Sequence, residues 1–163
     1  MRYPQVLVYE TDGRLAGLLR RGGKPRAWSL REPRGLESCL RLLRHDEPTV
    51  LVIKLGKDLI RELQLLERVT WLFPDTAAVV VMHTADPALA RLAWELGAGF
   101  VVLPPLVPQE FLDVITGLMK SVIDRMKSQR GEARGEGPGT REGKARTSPL
   151  GPRPSWGSNR SDA

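Results

Sequence analysis

The sequence predicts an α/β fold in which a parallel five-stranded sheet carries helices on both faces. Along residues 1–127, short apolar runs alternate five times with amphipathic helical patterns. One run, Thr49–Leu55, is apolar and β-branched without polar alternation, which is typical of a strand buried on both faces. Helix start and stop signals separate the runs, as in Asp86-Pro87 before one helical pattern and Gly97 after it.

The predicted strands are all short runs of apolar residues between turn or helix signals. They are Gln5–Tyr9, Arg26–Leu30, Thr49–Leu55, Ala77–Met82 and Phe100–Leu103. Glycine or proline follows or precedes most of them, and Pro104-Pro105 ends the last one.

The predicted helices are recognised by apolar residues that recur every three or four positions. The first carries Leu15, Leu18 and Leu19, and the second opens at Pro33 and carries Leu36, Cys39, Leu40 and Leu43. The third is capped by Asp58 and carries Leu59, Ile60, Leu63 and Leu66. The fourth carries Leu89, Leu92, Ala93 and Leu96, and the last runs from Pro108 to about Lys127.

This alternation of strands and helices predicts where a functional site would lie. Right-handed crossovers place helices on both faces of the sheet, and five strands favour the flavodoxin-like order 2-1-3-4-5. In that order the ligand crevice lies beyond the carboxyl ends of strands 1 and 3. Here it would be lined by Glu10, Thr11, Asp12 and Lys54.

Composition predicts one folded domain, residues 1–127, followed by a disordered tail, residues 128–163. The tail is rich in Gly, Pro, Ser and Arg, and Leu150 and Trp156 are its only large apolar residues. It holds seven Lys/Arg and four Asp/Glu, and the whole chain has a formal charge of +6. The interleaved acids weaken any attraction to phosphate, so a nucleic-acid contact through the tail is the alternative to a solvated extension without a specific role.

Other sequence features exclude several classes of protein. Cys39 is the only cysteine, which excludes an intrachain disulfide and indicates a buried, unreactive thiol. The start of the chain has no apolar signal core, and the apolar runs are too short for membrane helices. We therefore expect a cytoplasmic protein without a membrane contact.

In this order, several segments resemble the receiver domain of response regulators, in the CheY-like superfamily. The resemblance covers about residues 4–127. Val6–Glu10 resembles the first strand with its acidic end, Thr49–Leu55 the phosphoacceptor strand, and Val79–Met82 the fourth strand. The spacing from Gly97-Ala98 to Pro105 is the most specific part.

The resemblance implies a phosphorylation pocket whose residues have been replaced in this chain. A working receiver has two acids after strand 1, a phosphoacceptor aspartate at the end of strand 3, a Thr or Ser after strand 4, and a lysine before the proline of strand 5. Glu10 matches the first acid, but the other positions hold Thr11, Lys54, Met82 and Pro104.

Two alternative alignments affect this comparison. Thr84 would supply the hydroxyl if the loop after strand 4 were shortened by two residues. Asp58, four residues after Lys54, is either a helix cap or a displaced phosphoacceptor, and we interpret it as the cap.

These replacements predict a pseudo-receiver that is not phosphorylated and that uses no cofactor or metal. A lysine cannot form an acyl phosphate, and its ammonium repels Mg²⁺. We expect Lys54 to pair with Glu10, and in addition with Asp12, because a half-buried charge is costly without a partner. The alternative is that the Lys54 side chain extends along the surface into water.

A receiver that phosphate does not switch would act through its surface in a two-component, phosphorelay-type pathway. The last helix has a wide apolar arc, and we expect Leu112, Met119, Ile123 and Met126 to contact a protein partner or a second copy, together with the fifth strand. The alternative is that this arc belongs wholly to the core.

We do not expect an enzyme. The sequence has no Walker loop, no GxGxxG motif, no Ser/His/Asp set and no cluster of metal ligands. Its two histidines, His45 and His83, are explained by a helix end and by a solvent-facing position at the edge of the sheet.

Overall fold

The computed structural model describes residues 4–22, 28–45 and 49–132, with side chains up to residue 128. The strands are β1 (Gln5–Tyr9), β2 (Ser29–Arg31), β3 (Thr49–Leu55), β4 (Ala77–Met82) and β5 (Phe100–Val102). The helices are α1 (Arg14–Arg21), α2 (Leu36–Leu43), α3 (Leu59–Leu72), α4 (Pro87–Glu95) and α5 (Pro108–Glu132).

The sheet has the predicted topology. Its strands lie in the order β2-β1-β3-β4-β5, and every neighbouring pair is parallel. The flavodoxin-like α/β fold class is therefore confirmed. All five strands end at the same edge of the sheet, which brings the residues after β1, β3, β4 and β5 together.

β3 is the centre of the molecule. It pairs with β1 on one side and β4 on the other, and its side chains alternate between two hydrophobic clusters. Leu51, Ile53 and Leu55 pack in one cluster with α2, α3 and α4, whereas Val50 and Val52 pack in the other with α1 and α5. All five are at most 1% exposed, so the predicted burial of both faces of this strand is confirmed.

Helix ends follow the chemistry of the residues there. Asp58 accepts a hydrogen bond from the Arg61 backbone N–H (3.4 Å), so it is the predicted N-cap of α3. Asp86 accepts from two backbone N–H groups at the start of α4. After α4, Gly97 adopts φ 95°, and an added Cβ would lie 2.8 Å from the Thr70 side chain. A residue with a side chain would be strained here, which explains the glycine.

Four predicted elements have different bounds in the structure. β5 ends at Val102, one residue before the predicted Leu103. β2 is Ser29–Arg31 rather than Arg26–Leu30, and residues 26 and 27 lie outside the described residues. α2 begins at Leu36, not at Pro33, because the Gly35 N–H is bonded to the Ser38 hydroxyl (3.1 Å) and forms the helix start. α5 continues to Glu132, five residues past the predicted end, since no proline interrupts it.

The predicted apolar stripe of α3 was also wrong in part. The buried residues of this helix are Glu62, Leu65, Leu66 and Val69, which follow the i, i+3, i+4, i+7 pattern. Leu59 is 40% exposed and Ile60 is 71% exposed, so two of the four predicted residues face outward. In α4, Leu92 is 38% exposed, and Ala93 is the buried residue.

Cys39 is buried and free, as predicted. Burial raises the pKa of its thiol to about 12, because the thiolate would lose its hydration. None of the helices in the described ranges is long and apolar enough to span a membrane. The division of the chain at residue 127 stays a prediction.

Candidate functional site: the carboxyl edge of the sheet

Glu10, directly after β1, is turned toward the start of α1. Its two carboxylate oxygens accept hydrogen bonds from the backbone N–H groups of Leu15 (3.0 Å) and Ala16 (2.8 Å). These amides belong to the first turn of the helix and have no partner within it. Glu10 therefore stabilises the β1–α1 connection, in which Gly13 adopts the left-handed conformation (φ 69°).

Lys54, the penultimate residue of β3, forms an ion pair with Asp12. The Lys54 Nζ lies 2.5 Å from Asp12 Oδ2, and the two side chains are 21% and 37% exposed. Arg14 adds a second, longer contact, with its Nε 3.5 Å from the same oxygen. Asp12 thus carries two cationic neighbours at the mouth of the crevice.

The carboxyl groups of Glu10 and Asp12 have pKa values shifted in opposite directions. Burial raises the pKa of Glu10; hydrogen bonds from Ala16 and Leu15 oppose this shift, and the neighbouring Asp12 carboxyl adds to it. Burial also raises the pKa of Asp12, but the hydrogen bond from the Lys54 ammonium and its positive charge outweigh this and lower it to about 2.

The expected pairing of Lys54 with Glu10 was wrong as to the main partner. Asp12, which we expected only as an additional partner, holds the ammonium. The physical reason is that the amides of α1 use both oxygens of Glu10. Lys54 does not simply extend into water, since its side chain is 21% exposed and ends on a carboxylate.

The other predicted pocket residues lie around the same edge. A cleft of about 780 Å³ is lined by Asp12, Lys54, Met82 and Pro104, with Arg14 and Leu18 on the α1 side. Thr11 lines a smaller cleft of about 310 Å³ next to it. The structure therefore brings together every predicted pocket residue except Glu10, which lines neither cleft.

At the end of β4, Met82 places a thioether at the position where the resemblance implies a Thr or Ser hydroxyl. Met82 is 4% exposed and belongs to the cluster that contains Leu55. Thr84, the alternative hydroxyl residue, lies exposed beyond the strand, and its backbone carbonyl accepts from Asp86 N–H (3.0 Å). Pro104, which is joined to Pro105 by a cis peptide bond, has no amine to offer an anion.

This set of residues does not fit a divalent cation. The Lys54 ammonium occupies one side of Asp12, and both Glu10 oxygens already accept backbone hydrogen bonds. Mg²⁺ requires hard oxygen ligands in near-octahedral geometry. No group of three or more potential metal-binding side chains exists within residues 4–22, 28–45 and 49–132.

Sequence reasoning missed Glu62, which fixes the loop after β3. Glu62 is 4% exposed, and its carboxylate accepts from the backbone N–H groups of Gly56 (2.7 Å), Asp58 (3.2 Å) and Lys57 (3.4 Å). A signal was present: an acid at position 62 falls in the same stripe as Leu65, Leu66 and Val69. A charged residue at such a position requires local hydrogen bonds.

The predicted interaction face of α5 divides into two parts. Met119 is 1% exposed and packs in the core with Phe111 and Ile115, so its assignment to an interaction face was wrong. Its position follows the buried series Phe111, Ile115, Met119 and Val122. Leu112, Ile123 and Met126 are only partly buried.

The comparisons with known proteins agree with this fold. A scan of protein-family models and a search of curated proteins both found no match to the sequence. Solved structures do match. A CheY-like response regulator receiver domain protein from Methanospirillum hungatei has a TM-score of 0.60 at 15% identity, over 75% of this chain and 98% of that chain. A response regulator from Thermotoga maritima has a TM-score of 0.59 at 17% identity, over 74% and 99%.

A longer protein also matches. NtrX from Brucella abortus, solved in complex with ADP, has a TM-score of 0.61 at 17% identity, over 82% of this chain but 29% of that chain. At these identities the likeness establishes the fold, which is that of response-regulator receiver domains. It does not transfer the activity or the ligands of these proteins.

Proposed function

We propose that this protein is a receiver-like signalling module that is not phosphorylated and that acts through contacts with protein partners in a phosphorelay-type pathway. The observation that carries the proposal is the ion pair between the Lys54 Nζ and Asp12 Oδ2 at 2.5 Å. It occupies the crevice at the end of the central strand, where a receiver would carry its phosphoacceptor and metal.

The chemistry of phosphoryl transfer supports this proposal. An acyl phosphate forms when a carboxylate attacks the phosphoryl group, and an ammonium held by a carboxylate has no free electron pair for that attack. Neither Met82 nor Pro104 supplies a hydrogen-bond donor side chain for phosphoryl oxygens. Three positions with different roles in phosphoryl transfer, those of Lys54, Met82 and Pro104, all lack the required group. Together they support the absence of phosphoryl transfer more strongly than one substitution would.

A surface suited to a protein partner lies on the side of α4, β5 and α5. Large apolar side chains are exposed there, namely Trp94 (51%), Phe100 (38%), Leu103 (48%) and Val107 (42%). Leu112, Ile123 and Met126 lie partly buried on α5. We propose these residues, without Met119, as the contact for a protein partner or a second copy.

Phosphorylation is tested by incubating the full chain with acetyl phosphate and Mg²⁺, quenching in acid and measuring the intact mass. We expect no adduct, because position 54 cannot form an acyl phosphate. An unrelated receiver with an intact aspartate is the reagent control. A mass increase of one phosphoryl group on this chain would show that the proposal is wrong.

The alternative function is a nucleic-acid contact through residues 128–163. Its support is a net charge of +3, from seven Lys/Arg and four Asp/Glu. Most of this segment lies outside the described residues. Two results would favour the alternative. Binding to duplex or single-stranded nucleic acid should weaken steeply as salt is added, and it should be lost when the Lys and Arg residues of this segment are neutralised.

A further inference from the structure

The end of α3 exposes a large aromatic side chain that the receiver-like function does not use. Trp71 is 86% exposed, the highest value among the exposed large hydrophobic side chains in the described residues, and Leu72 beside it is 56% exposed. A tryptophan held open to water on an ordered helix is a common feature of association surfaces, where buried Trp residues contribute much of the binding energy.

Trp71 stands beside a groove of about 530 Å³ between α2 and the end of α3. The groove is also lined by Leu40, which is 7% exposed, and by Leu72. It therefore has an apolar base and is bordered by an aromatic ring. We call the lining of this groove the α2–α3 surface; it consists of Glu37, Leu40, Arg44, Glu67, Arg68, Trp71 and Leu72.

The charges of the α2–α3 surface point to one kind of occupant. The groove carries two acids, Glu37 and Glu67, and two bases, Arg44 and Arg68. Within the part of the chain that the structure describes, none of these four side chains forms an ion pair. A partner with only acids or only bases would place like charges against two of these four side chains. A second copy of the same surface, related by a two-fold axis, can place its acids against the bases of the first copy.

We propose that two copies of this chain pair through the α2–α3 surface, with Trp71 of each copy entering the groove of the other. The pairing is isologous: each indole contacts the apolar base of the partner's groove and lies within reach of its arginines, which favour the faces of aromatic rings. This surface is separate from the one on α4, β5 and α5. A dimer formed here leaves that second surface free for a different protein.

Sedimentation velocity on the full chain tests the proposal. At concentrations on the order of 10–100 µM we expect a dimer for the wild type, and a dissociation constant at least about tenfold higher for Trp71→Ser. Ile60→Ser removes an exposed large apolar side chain from the start of the same helix, outside the groove, and is the matched control, which we expect to dimerise like the wild type. Circular dichroism confirms that each variant is folded.

Charge reversal distinguishes a self-complementary surface from a general apolar one. E37R/E67R makes the groove wholly basic and R44E/R68E makes it wholly acidic, so we expect each variant alone to be monomeric. Mixed together, they should form a heterodimer, because each then meets only opposite charges at the groove.

Four results would overturn the proposal. They are a monomeric wild type over this concentration range, a Trp71→Ser variant that dimerises normally, loss of the dimer in Ile60→Ser instead, and charge-reversed variants that do not associate when mixed. A monomer in which Trp71 is shielded from a soluble quencher would also contradict it, because the groove would then be filled from within the same molecule.

Discussion

At the scale of single residues, Lys54 supplies the crevice with a counter-charge for Asp12 that is covalently part of the chain. Its ammonium lies 2.5 Å from Asp12 Oδ2, and the two side chains are partly exposed, at 21% and 37%. An ion pair with this much solvent contact stabilises a protein by about 1 kcal/mol at most. The pair therefore contributes more to the charge of the crevice than to the stability of the fold.

The Asp12 carboxylate should make stability depend on pH in the acid range. Its folded-state pKa is lowered from 3.8 to about 2, so the ion pair stabilises the fold above about pH 4. This stabilisation is lost as the pH falls toward 2. We expect the free energy of unfolding of the wild type, measured in urea, to fall by about 1 kcal/mol more than that of D12N between pH 4 and pH 2. This value allows for solvent screening of the ion pair.

D75N is the control for this experiment. Asp75 lies in the turn before β4 and forms no ion pair with another described residue. Its replacement should leave the pH profile close to that of the wild type. If D12N and the wild type lose equal stability between pH 4 and pH 2, the carboxylate at position 12 does not have the assigned role.

The sequence placed Lys54 at this edge but could not select its partner. The chain offers Glu10 and Asp12 within two residues of each other, and both follow β1. The choice depends on the turn before α1, where Gly13 is left-handed and Glu10 reaches two backbone amides. Such local hydrogen bonds depend on the conformation of the loop, which the spacing of apolar residues does not predict.

At the scale of elements, the loop between β3 and α3 is held by a buried carboxylate. Glu62 accepts from three consecutive backbone N–H groups, from Gly56 to Asp58. These amides precede the first turn of α3, so no carbonyl of the helix accepts from them. The loop beside Lys54 is therefore stabilised from within α3.

Replacement of Glu62 should destabilise the domain and free this loop. Because three amides lose their acceptor, we expect E62A to lower the free energy of unfolding by about 2–4 kcal/mol. E62Q keeps one acceptor oxygen and should lose less. Urea unfolding measures the stability, and hydrogen exchange at Gly56 and Lys57 measures the local opening. Exchange in E62A that matches the wild type would contradict the role of this carboxylate.

The strands were easier to predict than the faces of the helices. β3 reads as buried from its composition alone, and Asp58 and Asp86 mark the helix starts by their capping chemistry. The stripe of α3 was misread because Leu59 and Ile60 are apolar yet exposed, while Glu62 is charged yet buried. Apolar content does not reveal which side of a helix faces the sheet when a core position carries an acid.

At the scale of the whole molecule, the sheet separates two hydrophobic clusters. Helix α5 contributes buried side chains to one cluster and has other apolar side chains near the surface. Phe111, Ile115, Met119 and Val122 are at most 4% exposed. Leu112, Ile123 and Met126 lie beside them at partly exposed positions. The helix therefore combines a core contact with a partly exposed apolar side.

Two methionine substitutions separate these roles. M119A removes a fully buried side chain and should lower the free energy of unfolding by about 2–5 kcal/mol, whereas M126A should cost less than about 1 kcal/mol. Chemical unfolding measures both. If M126A destabilises the domain as much as M119A, Met126 belongs to the core and the proposed contact on α5 loses one of its residues.

The length of α5 has a mechanical consequence. Among the side chains described, which end at residue 128, Val122 is the last buried one, and the helix continues for ten residues beyond it to Glu132. At 1.5 Å per residue, this extension carries the backbone about 15 Å beyond that contact. The end of α5 thus sets the distance from Val122 at which the chain leaves this helix.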